Sequence, residues 1–466
     1  MSKRVEIKKI FSEDYVEKEV KISGWVRSVR NSKKFSFVVL NDGSCQNSLQ
    51  IVADLGIEGY EQLADVLTGA CLSITGKVVP SQGKGQSVEM QASSIEVLGH
   101  ASAEYPLQNK ATSLEFLREK AHLRMRTNLF GAVFRVRDAL AQATHRFFSE
   151  RGFYYMNTPI ITSIDGEGAG EMFKVTTLDL EKLAQSGAKS VNYEWDYFGK
   201  ETSLCVTGQL EGECAAMALG KIYTFGPTFR SENSHTTRHL SEFWMIEPEV
   251  AFADLDEVAG LAADYLKYLI DYALKTCPED LEFLVTRKGG EIDPNHISML
   301  ESVRDSDFRK ITYTEAIDIL NSSGEKFEFP TSWGSELQTE HERYLTDKHF
   351  KGPVIVTDYP ADFKAFYMKQ NDDGKTVRAM DVLVPGVGEI IGGSEREADF
   401  DKLVQRMNKD GMDLDNYWWY LELRKFGTAP HGGFGLGFER AVMYITGMKN
   451  IRDVIPFPRT PKSCEF

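Results

Sequence analysis

The chain has 466 residues, of which 42% are hydrophobic, and a formal net charge of -15. This length and apolar content predict two or more globular domains with substantial cores, and the negative charge argues against indiscriminate binding of nucleic acid. No apolar run is long enough to span a membrane and the first residues lack a signal-peptide core, so we expect a cytoplasmic protein that does not bind membranes.

Cysteine usage excludes two further classes of protein. The six cysteines are scattered and form no CxxC pair. The sequence therefore predicts neither a disulfide framework nor a structural zinc site.

Residues 1–99 are predicted to form a small β-barrel. Short runs of β-type residues alternate there with turn signals such as Asn41, Asp42 and Gly43. A five-stranded OB-fold accounts for this pattern. The predicted strands are 20–29, 35–40, 49–52, 71–79 and 87–97.

One face of this barrel carries side chains suited to unpaired bases. Phe35 and Phe37 can stack on bases, and Gln50 can hydrogen-bond to them. The first fifty residues hold ten Lys/Arg against six Asp/Glu, a balance of +4, with a basic cluster at Arg27, Arg30, Lys33 and Lys34. In the alternative interpretation Phe37 belongs to the barrel core and Gln50 is an ordinary surface residue.

A charged connecting segment and a long helix follow the barrel. Residues 100–129 contain few strand signals, and we predict that they form a hinge region. Apolar residues then recur at helical spacing over residues 131–151, and Gly152 ends the pattern.

Two features after this helix are candidates for contacts with a small substrate. The loop SIDGEGAGEMF at 163–173 contains Gly166, Gly168 and Gly170, so it can close over a ligand and bring Glu167 to an ammonium group. Gln209 and Glu213 are four residues apart on a predicted helix and point into the same space.

Residues 221–250 are predicted to form a hairpin with a functional loop. The flanks 221–229 and 242–250 are rich in aromatic and branched residues, which favours two antiparallel strands joined by a mobile loop. Arginines in such a loop can contact phosphates, and Phe243 can pack against a purine. A solvated hairpin tip would not explain why aromatic residues bracket the charges, which are Arg230, Glu232, Arg238 and His239.

The region after the hairpin gives one metal hypothesis. Residues 254–277 fit a long amphipathic helix, and residues 280–350 show no recognisable chemistry; His341 and His349 are expected at a solvated surface. Asp381 and Glu389 lie in or beside predicted strands at 378–384 and 388–393. Two acids that project from strands into a nucleotide site favour Mg2+ bridging the phosphates.

Residues 432–446, GGFGLGFERAVMYIT, combine a Gly-rich run with Arg440 at a predicted helix start. Glycines let the backbone approach a ligand, and Arg440 adds its charge to the positive end of the helix dipole, which suits a polyphosphate. Neither a dinucleotide fingerprint nor a P-loop is present, because Arg440 and Lys369 stand where small residues are required. Taken alone, the string also fits a Gly-rich turn that closes a buried strand.

The strings FRSE, RHLSEF and GLGFER resemble motifs 2 and 3 of class II aminoacyl-tRNA synthetases. Residues 131–161 resemble motif 1, a long helix and a strand that ends in proline, here Pro159. The resemblance covers essentially the whole chain and is greatest with the aspartyl/asparaginyl/lysyl subgroup. It implies an α+β fold, with an N-terminal OB-fold barrel that binds the anticodon (1–99), a hinge region (100–129) and a class II catalytic domain with a mainly antiparallel sheet flanked by helices (130–466).

The resemblance also implies roles for individual side chains. Motif 1 builds a homodimer interface with Pro159 near its axis, and Arg230, Glu389 and Arg440 act directly in catalysis. ATP would be bound by Arg230, Glu232, Arg238, His239, Phe243, Glu389 and Arg440. Mg2+ would be held by Asp381 and Glu389. The amino acid would be bound by Glu167, Gln209, Glu213, Arg230 and Arg396, and the tRNA anticodon by Arg27, Phe37 and Gln50.

One departure from the aspartyl pattern favours L-asparagine as the substrate. Aspartyl enzymes have a lysine three positions after the glutamine, where this chain has Gly212, with Glu213 beside it. A carboxylate accepts from an amide NH2 and repels a carboxylate. Arg396 would then donate to the amide oxygen. His431 either lines this pocket or is a structural histidine.

The implied reaction activates asparagine with ATP and transfers it to tRNA(Asn), releasing pyrophosphate and AMP. Three alternatives stay open. Gly212 at the lysine position, with Glu213 beside it, speaks against a non-discriminating aspartyl enzyme. An asparagine synthetase on the same fold would lack the barrel. A non-catalytic RNA-binding module would be free to lose Arg230, Glu389 and Arg440.

Overall fold

The computed structural model describes residues 4–83, 85–108, 112–168, 171–234 and 236–466. The chain divides into two compact units, Met1–Arg135 with Phe466 and Val136–Glu465. None of the helices in the described ranges is long and apolar enough to cross a membrane.

The first unit contains a closed five-stranded barrel, which confirms the predicted fold. Its strand order is β1-β2-β3-β5-β4, and all neighbours are antiparallel except β3 and β5. Side chains alternate between a buried inner face and an outer face because successive residues of a strand point to opposite sides. The strands are β1 (Glu19–Asn31), β2 (Phe35–Asn41), β3 (Leu49–Asp54), β4 (Cys71–Pro80) and β5 (Val88–Gly99).

Helices in the first part of the chain are short, apart from the last. The side chain of Ser113 caps α2 by accepting the Phe116 N–H. The segment predicted as a hinge therefore contains regular structure. The helices are α1 (Ile7–Ser12), α2 (Leu114–Glu119), α3 (Ala121–Arg124) and α4 (Asn128–Glu150).

The second unit is built on an eight-stranded sheet of order β12-β13-β14-β15-β16-β11-β10-β6. Only the β12/β13 and β10/β6 pairs are parallel, which confirms the predicted, mainly antiparallel sheet. Its strands are β6 (Tyr154–Tyr155), β10 (Lys221–Phe229), β11 (Glu242–Ala251), β12 (Arg309–Thr312), β13 (Val354–Pro360), β14 (Thr376–Val384), β15 (Gly388–Glu395) and β16 (His431–Gly437). A smaller sheet of order β7-β9-β8 consists of β7 (Ile161–Thr162), β8 (Lys174–Val175) and β9 (Thr202–Leu204).

Helices flank this sheet. The predicted amphipathic helix is α7, whose start is fixed by a capping box between Asp254 and Glu257. The helices are α5 (Leu180–Gln185), α6 (Gln209–Leu219), α7 (Leu255–Thr276), α8 (Pro278–Thr286), α9 (His296–Asp305), α10 (Tyr313–Ser322), α11 (Thr339–Arg343), α12 (Phe400–Lys409), α13 (Trp418–Lys425) and α14 (Phe438–Thr446).

Two sequence expectations differ from the structure. The strand expected before Pro159 is only the two residues of β6, and the chain from Met156 to Ile160 is irregular. The placement of His341 at a solvated surface is wrong, because its side chain is buried. Its Nδ1 accepts the Gln338 N–H at 3.0 Å and its Nε2 donates to the Phe329 carbonyl at 2.9 Å, so it holds the start of α11 in place.

Candidate active site

A cavity of about 230 Å3 lies on the sheet of the second unit, beside the loop that joins β10 and β11. The β10/β11 hairpin is in continuous antiparallel register from Lys221 opposite Val250 to Phe229 opposite Glu242, as the sequence predicts. The structure brings all seven predicted ATP-binding side chains to this cavity. They are Arg230, Glu232, Arg238, His239, Phe243, Glu389 and Arg440.

The floor of the cavity follows from strand periodicity. Phe243 and Met245 of β11 share one face of the strand and both line the cavity. Gly435 and Gly437 of β16 lie beside them. A Cβ at Gly435 would come within 2.8 Å of the Met245 methyl, so glycine is what leaves this surface open. The arrangement provides a shallow floor for a flat ring.

Arg230 lies at the entrance to the loop and pairs with Glu167. Its Nη2 is 2.7 Å from Glu167 Oε1, and its guanidinium lies over the Phe243 ring at 5.5 Å from the centroid. Burial raises the pKa of Glu167, and the charge of Arg230 opposes this rise. The Nε of Arg230 is buried without a hydrogen-bond partner among the described residues, so the guanidinium retains capacity for a ligand. Gly170 of the same glycine-rich loop lies outside the described residues.

Two further arginines crowd the other side of the cavity. Arg238 donates to the Thr339 hydroxyl at 3.3 Å, and Arg440 donates to the Glu389 carbonyl at 3.4 Å. Burial and then the positive charge of Arg440 lower the pKa of Arg238. The same two causes lower the pKa of His239. Cations that repel one another in this way favour an anionic ligand.

Asp381 and Glu389 converge from β14 and β15 at the edge of the cavity. A Cβ added at Gly392 would lie 3.3 Å from Glu389 Oε1 and 3.4 Å from Asp381 Oδ1. Burial raises the pKa of Glu389, and the charge of Asp381 adds to this rise. Lys364 supplies a cation to Asp381 at 3.0 Å.

These two carboxylates fit Mg2+ only if substrate phosphates and water supply its other ligands. No group of three His, Cys, Asp or Glu side chains in the described part of the chain is arranged to hold a metal ion. Mg2+ is usually bound through one or two carboxylates together with substrate phosphates and water. Asp381 and Glu389 match that donor set.

Sequence reasoning missed a third carboxylate, that of Glu342 on α11. Its Oε2 accepts the backbone N–H of Glu389 at 3.1 Å, so it fixes the start of the strand that carries this acid. Burial and then the charge of Glu389 raise the pKa of Glu342 to about 7. In the sequence, Glu342 stands in a charged string that is typical of a solvated helix, so no local signal identifies it.

Glu213 lies at the centre of a buried network that includes Glu249, on the β11 face that also carries Phe243 and Met245. Gln209 Nε2 donates to its Oε1 at 3.0 Å, which agrees with the shared helix face expected for these two residues. The Tyr420 hydroxyl lies 2.9 Å from both carboxylate oxygens. Arg424 Nη2 at 2.8 Å and His431 Nε2 at 2.9 Å both contact Oε2. His431 thus faces the pocket interior, and Arg424 and Tyr420 are residues that sequence analysis did not identify.

Arg396 is the second centre of this network. Its Nε and Nη2 donate to the Glu249 carboxylate at 3.2 and 2.5 Å, and its Nη1 donates to the Ser394 hydroxyl at 2.7 Å. Glu249 fits because the facing residue is Gly433, where a Cβ would lie 2.4 Å from a carboxylate oxygen. Glu247, two residues earlier on β11, accepts the Gly208 N–H at 3.1 Å and so anchors the start of α6.

In the first unit, the outer barrel face carries the predicted base-binding side chains. Phe37 and Gln50 are half-exposed on the outside of β2 and β3, so the alternative with Phe37 in the barrel core is wrong. Phe35 and Phe37 are in edge-to-face contact at 5.0 Å. Arg27 differs, because it donates to the Arg126 carbonyl and to Asn41 Oδ1 at 3.4 Å. Its structural contacts compete with the predicted role in binding RNA.

An exposed apolar segment surrounds Pro159 in the second unit. Pro159 is itself exposed, as are the four apolar side chains of Tyr154, Tyr155, Ile160 and Ile161. Contiguous apolar surface of this kind marks an interaction site.

Comparisons with known proteins agree with these observations. Residues 113–461 match the family of tRNA synthetases class II (D, K and N), and residues 20–98 match the OB-fold nucleic acid binding domain. The chain is 58% identical over 467 residues to the asparagine–tRNA ligase of Cytophaga hutchinsonii, with 100% of both chains covered. It is 57% identical over 468 residues to that of Parabacteroides distasonis, covering 100% of this chain and 99% of the relative. It also resembles the crystal structure of asparaginyl-tRNA synthetase from Pyrococcus horikoshii complexed with asparaginyl-adenylate, with a TM-score of 0.86, 31% identity and 100% of both chains covered.

Proposed function

The chain belongs to the class II tRNA synthetases of the aspartate, lysine and asparagine group and ligates asparagine to tRNA(Asn) with ATP, and we propose how its side chains perform this reaction. The observation that carries the proposal is the convergence of all seven predicted ATP-binding side chains on one cavity, next to the ion pair of Arg230 and Glu167. A non-discriminating aspartyl enzyme is less favoured, because the full-length relatives described above are asparagine–tRNA ligases.

The first step forms asparaginyl-adenylate. An oxygen of the asparagine carboxylate attacks the α-phosphorus of ATP, and the bond to pyrophosphate breaks. Arg230 binds the α-phosphate and the substrate carboxylate, while Glu167 binds the substrate ammonium. The two side chains form an ion pair at 2.7 Å, so a zwitterionic amino acid that binds between them replaces one ion pair with two. Catalysis then rests on positioning and charge neutralisation.

The nucleotide fills the remainder of the cavity. Arg238, His239 and Arg440 bind the distal phosphates, and the adenine ring lies between Phe243 and Arg440. Glu232 accepts from the adenine amino group. In the second step the terminal ribose hydroxyl of tRNA attacks the acyl carbon, and AMP leaves.

Asp381 and Glu389 would hold Mg2+ together with the ATP phosphates. A bound Mg2+ neutralises charge on the phosphates and orients them. Lys364 lies 3.0 Å from Asp381, so its ammonium would compete with Mg2+ for this carboxylate.

Asparagine is recognised by Arg396 and Glu213. Arg396 uses three of its five N–H groups in contacts with Glu249 and Ser394. Within the described part of the chain, the other two remain for the amide oxygen. Glu213 accepts from the amide NH2, and one of its present donors gives way when the substrate binds. Gln209 holds Glu213 in place from the same helix.

The barrel binds the tRNA anticodon through Phe37 and Gln50. Stacking of a base on an aromatic ring contributes roughly 1–3 kcal/mol. Phe37→Ala is therefore expected to raise the KM for tRNA about tenfold or more while pyrophosphate exchange, which needs no tRNA, keeps its parent rate. An equal loss in both assays would contradict the assignment.

A homodimer forms through the exposed apolar segment around Pro159. Light scattering coupled to size-exclusion chromatography is expected to give twice the mass of the chain. Tyr155→Asp places a charge in this segment, and we expect it to shift the mass toward the monomer. A parent protein that is monomeric at micromolar concentration would contradict the proposal.

The experiment that tests the reaction is ATP–pyrophosphate exchange with asparagine and aspartate compared side by side. Exchange with asparagine that greatly exceeds exchange with aspartate is the expected result. Equal use of both amino acids would contradict the roles given to Glu213 and Arg396, and exchange with neither would contradict the activation step itself.

A further inference from the structure

Arg424 on α13 contacts the amide-recognition network, which consists of Gln209, Glu213, Glu249, Arg396, Tyr420 and His431. Its side chain is fully buried. Its Nη2 donates to Glu213 Oε2 at 2.8 Å, its Nε donates to the Glu397 carbonyl at 3.0 Å, and its guanidinium lies over the Tyr420 ring at 4.1 Å from the centroid. These contacts hold a positive charge directly against the carboxylate that faces the substrate amide.

The hydrogen bonds around His431 fix the positions of its protons except for one, which lies between His431 and Glu213. His431 Nε2 lies 2.9 Å from Glu213 Oε2, and His431 Nδ1 lies 2.9 Å from the Ala429 carbonyl oxygen. The carbonyl can only accept, so Nδ1 carries a hydrogen. The proton between Nε2 and Oε2 then resides either on the imidazole, which leaves Glu213 ionised, or on Glu213 as a carboxylic acid.

These two arrangements recognise different substrates. An ionised Glu213 is an acceptor only, so it binds an amide NH2 and repels a carboxylate. A protonated Glu213 donates its one hydrogen to His431 and carries no charge, so it no longer repels a substrate carboxylate. The position of one proton therefore decides between asparagine and aspartate.

The charges that face Glu213 favour the ionised form. Gln209 on α6 and the Tyr420 hydroxyl on α13 are neutral donors, and Arg396 behind them is paired with Glu249. Arg424 is the guanidinium in direct contact. Burial opposes ionisation of Glu213, but the charges of Arg424, His431 and Arg396 outweigh it and hold its pKa below the ordinary value.

We propose that Arg424 is a positioning residue that keeps Glu213 ionised and thereby sets the preference for asparagine over aspartate. The proposal rests on the proposed contact of Glu213 with the substrate amide. A second observation supports it. Arg424 Nη1 is buried without a hydrogen-bond partner in the part of the chain that the structure describes. A buried N–H left unpaired is costly, so the guanidinium is explained by its charge better than by its hydrogen bonds.

The test compares three variants by kcat/KM in pyrophosphate exchange with asparagine and with aspartate, between about pH 6 and pH 9. Arg424→Met removes the charge, and Arg424→Lys keeps it. Lys425→Met removes a neighbouring exposed charge from the same helix and serves as the matched control. Circular dichroism and the KM for ATP report whether each variant retains the fold and the nucleotide site.

Without the guanidinium, burial acts on Glu213 with less opposition and its carboxyl stays protonated to higher pH. Arg424→Met is thus expected to lower the asparagine-to-aspartate ratio about tenfold or more, and most strongly at the acidic end. Arg424→Lys is expected to restore most of the preference, and Lys425→Met to leave it unchanged. An unchanged ratio at every pH in folded Arg424→Met would overturn the proposal.

A second measurement needs no charge-removing variant of Arg424. Carbon NMR of the glutamate-labelled parent, with Glu213 assigned through Glu213→Gln, is expected to show an ionised Glu213 carboxylate near neutral pH. A protonated Glu213 carboxyl would overturn the proposal. A parent enzyme without preference for asparagine would instead overturn the underlying assignment of Glu213, so the two failures are distinguishable.

Discussion

The two halves of the proposed active site, the cavity assigned to ATP and the buried network around Glu213 assigned to the substrate amide, carry charge in opposite ways. In the ATP cavity, about a third of the Arg230 and Arg440 side-chain surface is exposed, and the arginines there contact groups that they must share or leave when a ligand binds. In the amide-recognition network, no side chain of the Glu213–Arg424 and Glu249–Arg396 pairs is more than 3% exposed. The charged side chains of the ATP cavity, the open half, are partly exposed and incompletely paired. Those of the amide-recognition network, the closed half, are buried and form ion pairs.

The difference follows from the charge of the ligand. ATP brings several negative charges, so a site for it needs cations that are not already neutralised. The asparagine side chain is neutral, so its charged contacts must be balanced by the protein before it arrives. Removing a charge should therefore cost stability in the closed half and activity in the open half.

The largest effect is expected from Glu249→Ala in the closed half. This variant leaves the Arg396 guanidinium buried without its carboxylate, and breaking a buried pair costs roughly 3–5 kcal/mol. Urea unfolding is expected to show a loss of that size. Glu232→Ala is the control, since this carboxylate is exposed in the open half, and its change is expected within about 0.5 kcal/mol. A loss below about 1 kcal/mol for Glu249→Ala would mean that the network is not balanced as described.

The next effect is expected from Arg230→Ala in the open half. The variant removes donors to the charge that develops at the α-phosphate, so pyrophosphate exchange is expected to fall roughly 10²–10³-fold. The unfolding free energy is expected to change by less than about 1 kcal/mol, because Glu167 is a third exposed and water can solvate it. Exchange near the parent rate would remove Arg230 from the mechanism.

The sequence predicted the open half better than the closed half, for a physical reason. Six of the seven side chains of the ATP cavity come from two contiguous strings, FRSE to RHLSEF and GLGFER, in which a strand, a loop and a helix start present their polar residues together. Such strings interrupt the apolar periodicity of the sequence and can therefore be recognised. The barrel can be recognised from a regular pattern, because side chains of its strands alternate between two faces.

The residues that sequence analysis missed in both halves depend on contacts between segments that are far apart in sequence. Arg424 and Glu213 are 211 residues apart, and Glu342 and Glu389 are 47 apart. A buried charged residue looks in the sequence like an exposed one, so Arg424 and Glu342 carried no signal. His341 was assigned to the surface for the same reason. Within the buried network, Gln209 and Glu213 were recognisable from their helical spacing, and Arg396 was implied by the family resemblance.

A third variant adds an atom to the open half, whereas the preceding variants remove side-chain atoms. Gly392→Ala adds a methyl group 3.3–3.4 Å from oxygens of Glu389 and Asp381, which spreads the two carboxylates. The Mg2+ concentration for half-maximal exchange is expected to rise about tenfold, which corresponds to about 1.4 kcal/mol. Calorimetry of ATP binding at several Mg2+ concentrations gives an independent readout. Gly260→Ala on α7 is the control, because its Cβ meets no atom within 4 Å. Equal Mg2+ dependence in both variants would exclude these carboxylates as its ligands.

The smallest effects compare one hydroxyl from each half. Thr339→Ala removes the acceptor that orients Arg238 in the open half, and Tyr420→Phe removes one of the donors to Glu213 in the closed half. Each hydrogen bond contributes about 1 kcal/mol, so each variant is expected to change one KM about fivefold.

The two substrates separate these effects. Thr339→Ala should raise the KM for ATP and leave the KM for asparagine unchanged, because Arg238 lines the cavity proposed for the nucleotide. Tyr420→Phe should raise the KM for asparagine and leave the KM for ATP unchanged. It should also lower the unfolding free energy by about 1 kcal/mol, because the Tyr420 hydroxyl is buried while Thr339 lies at an exposed contact. An equal change of both KM values in either variant would show that the two halves are coupled through the β11 strand they share. The contrast between an open and a closed half would then not describe how the enzyme binds its substrates.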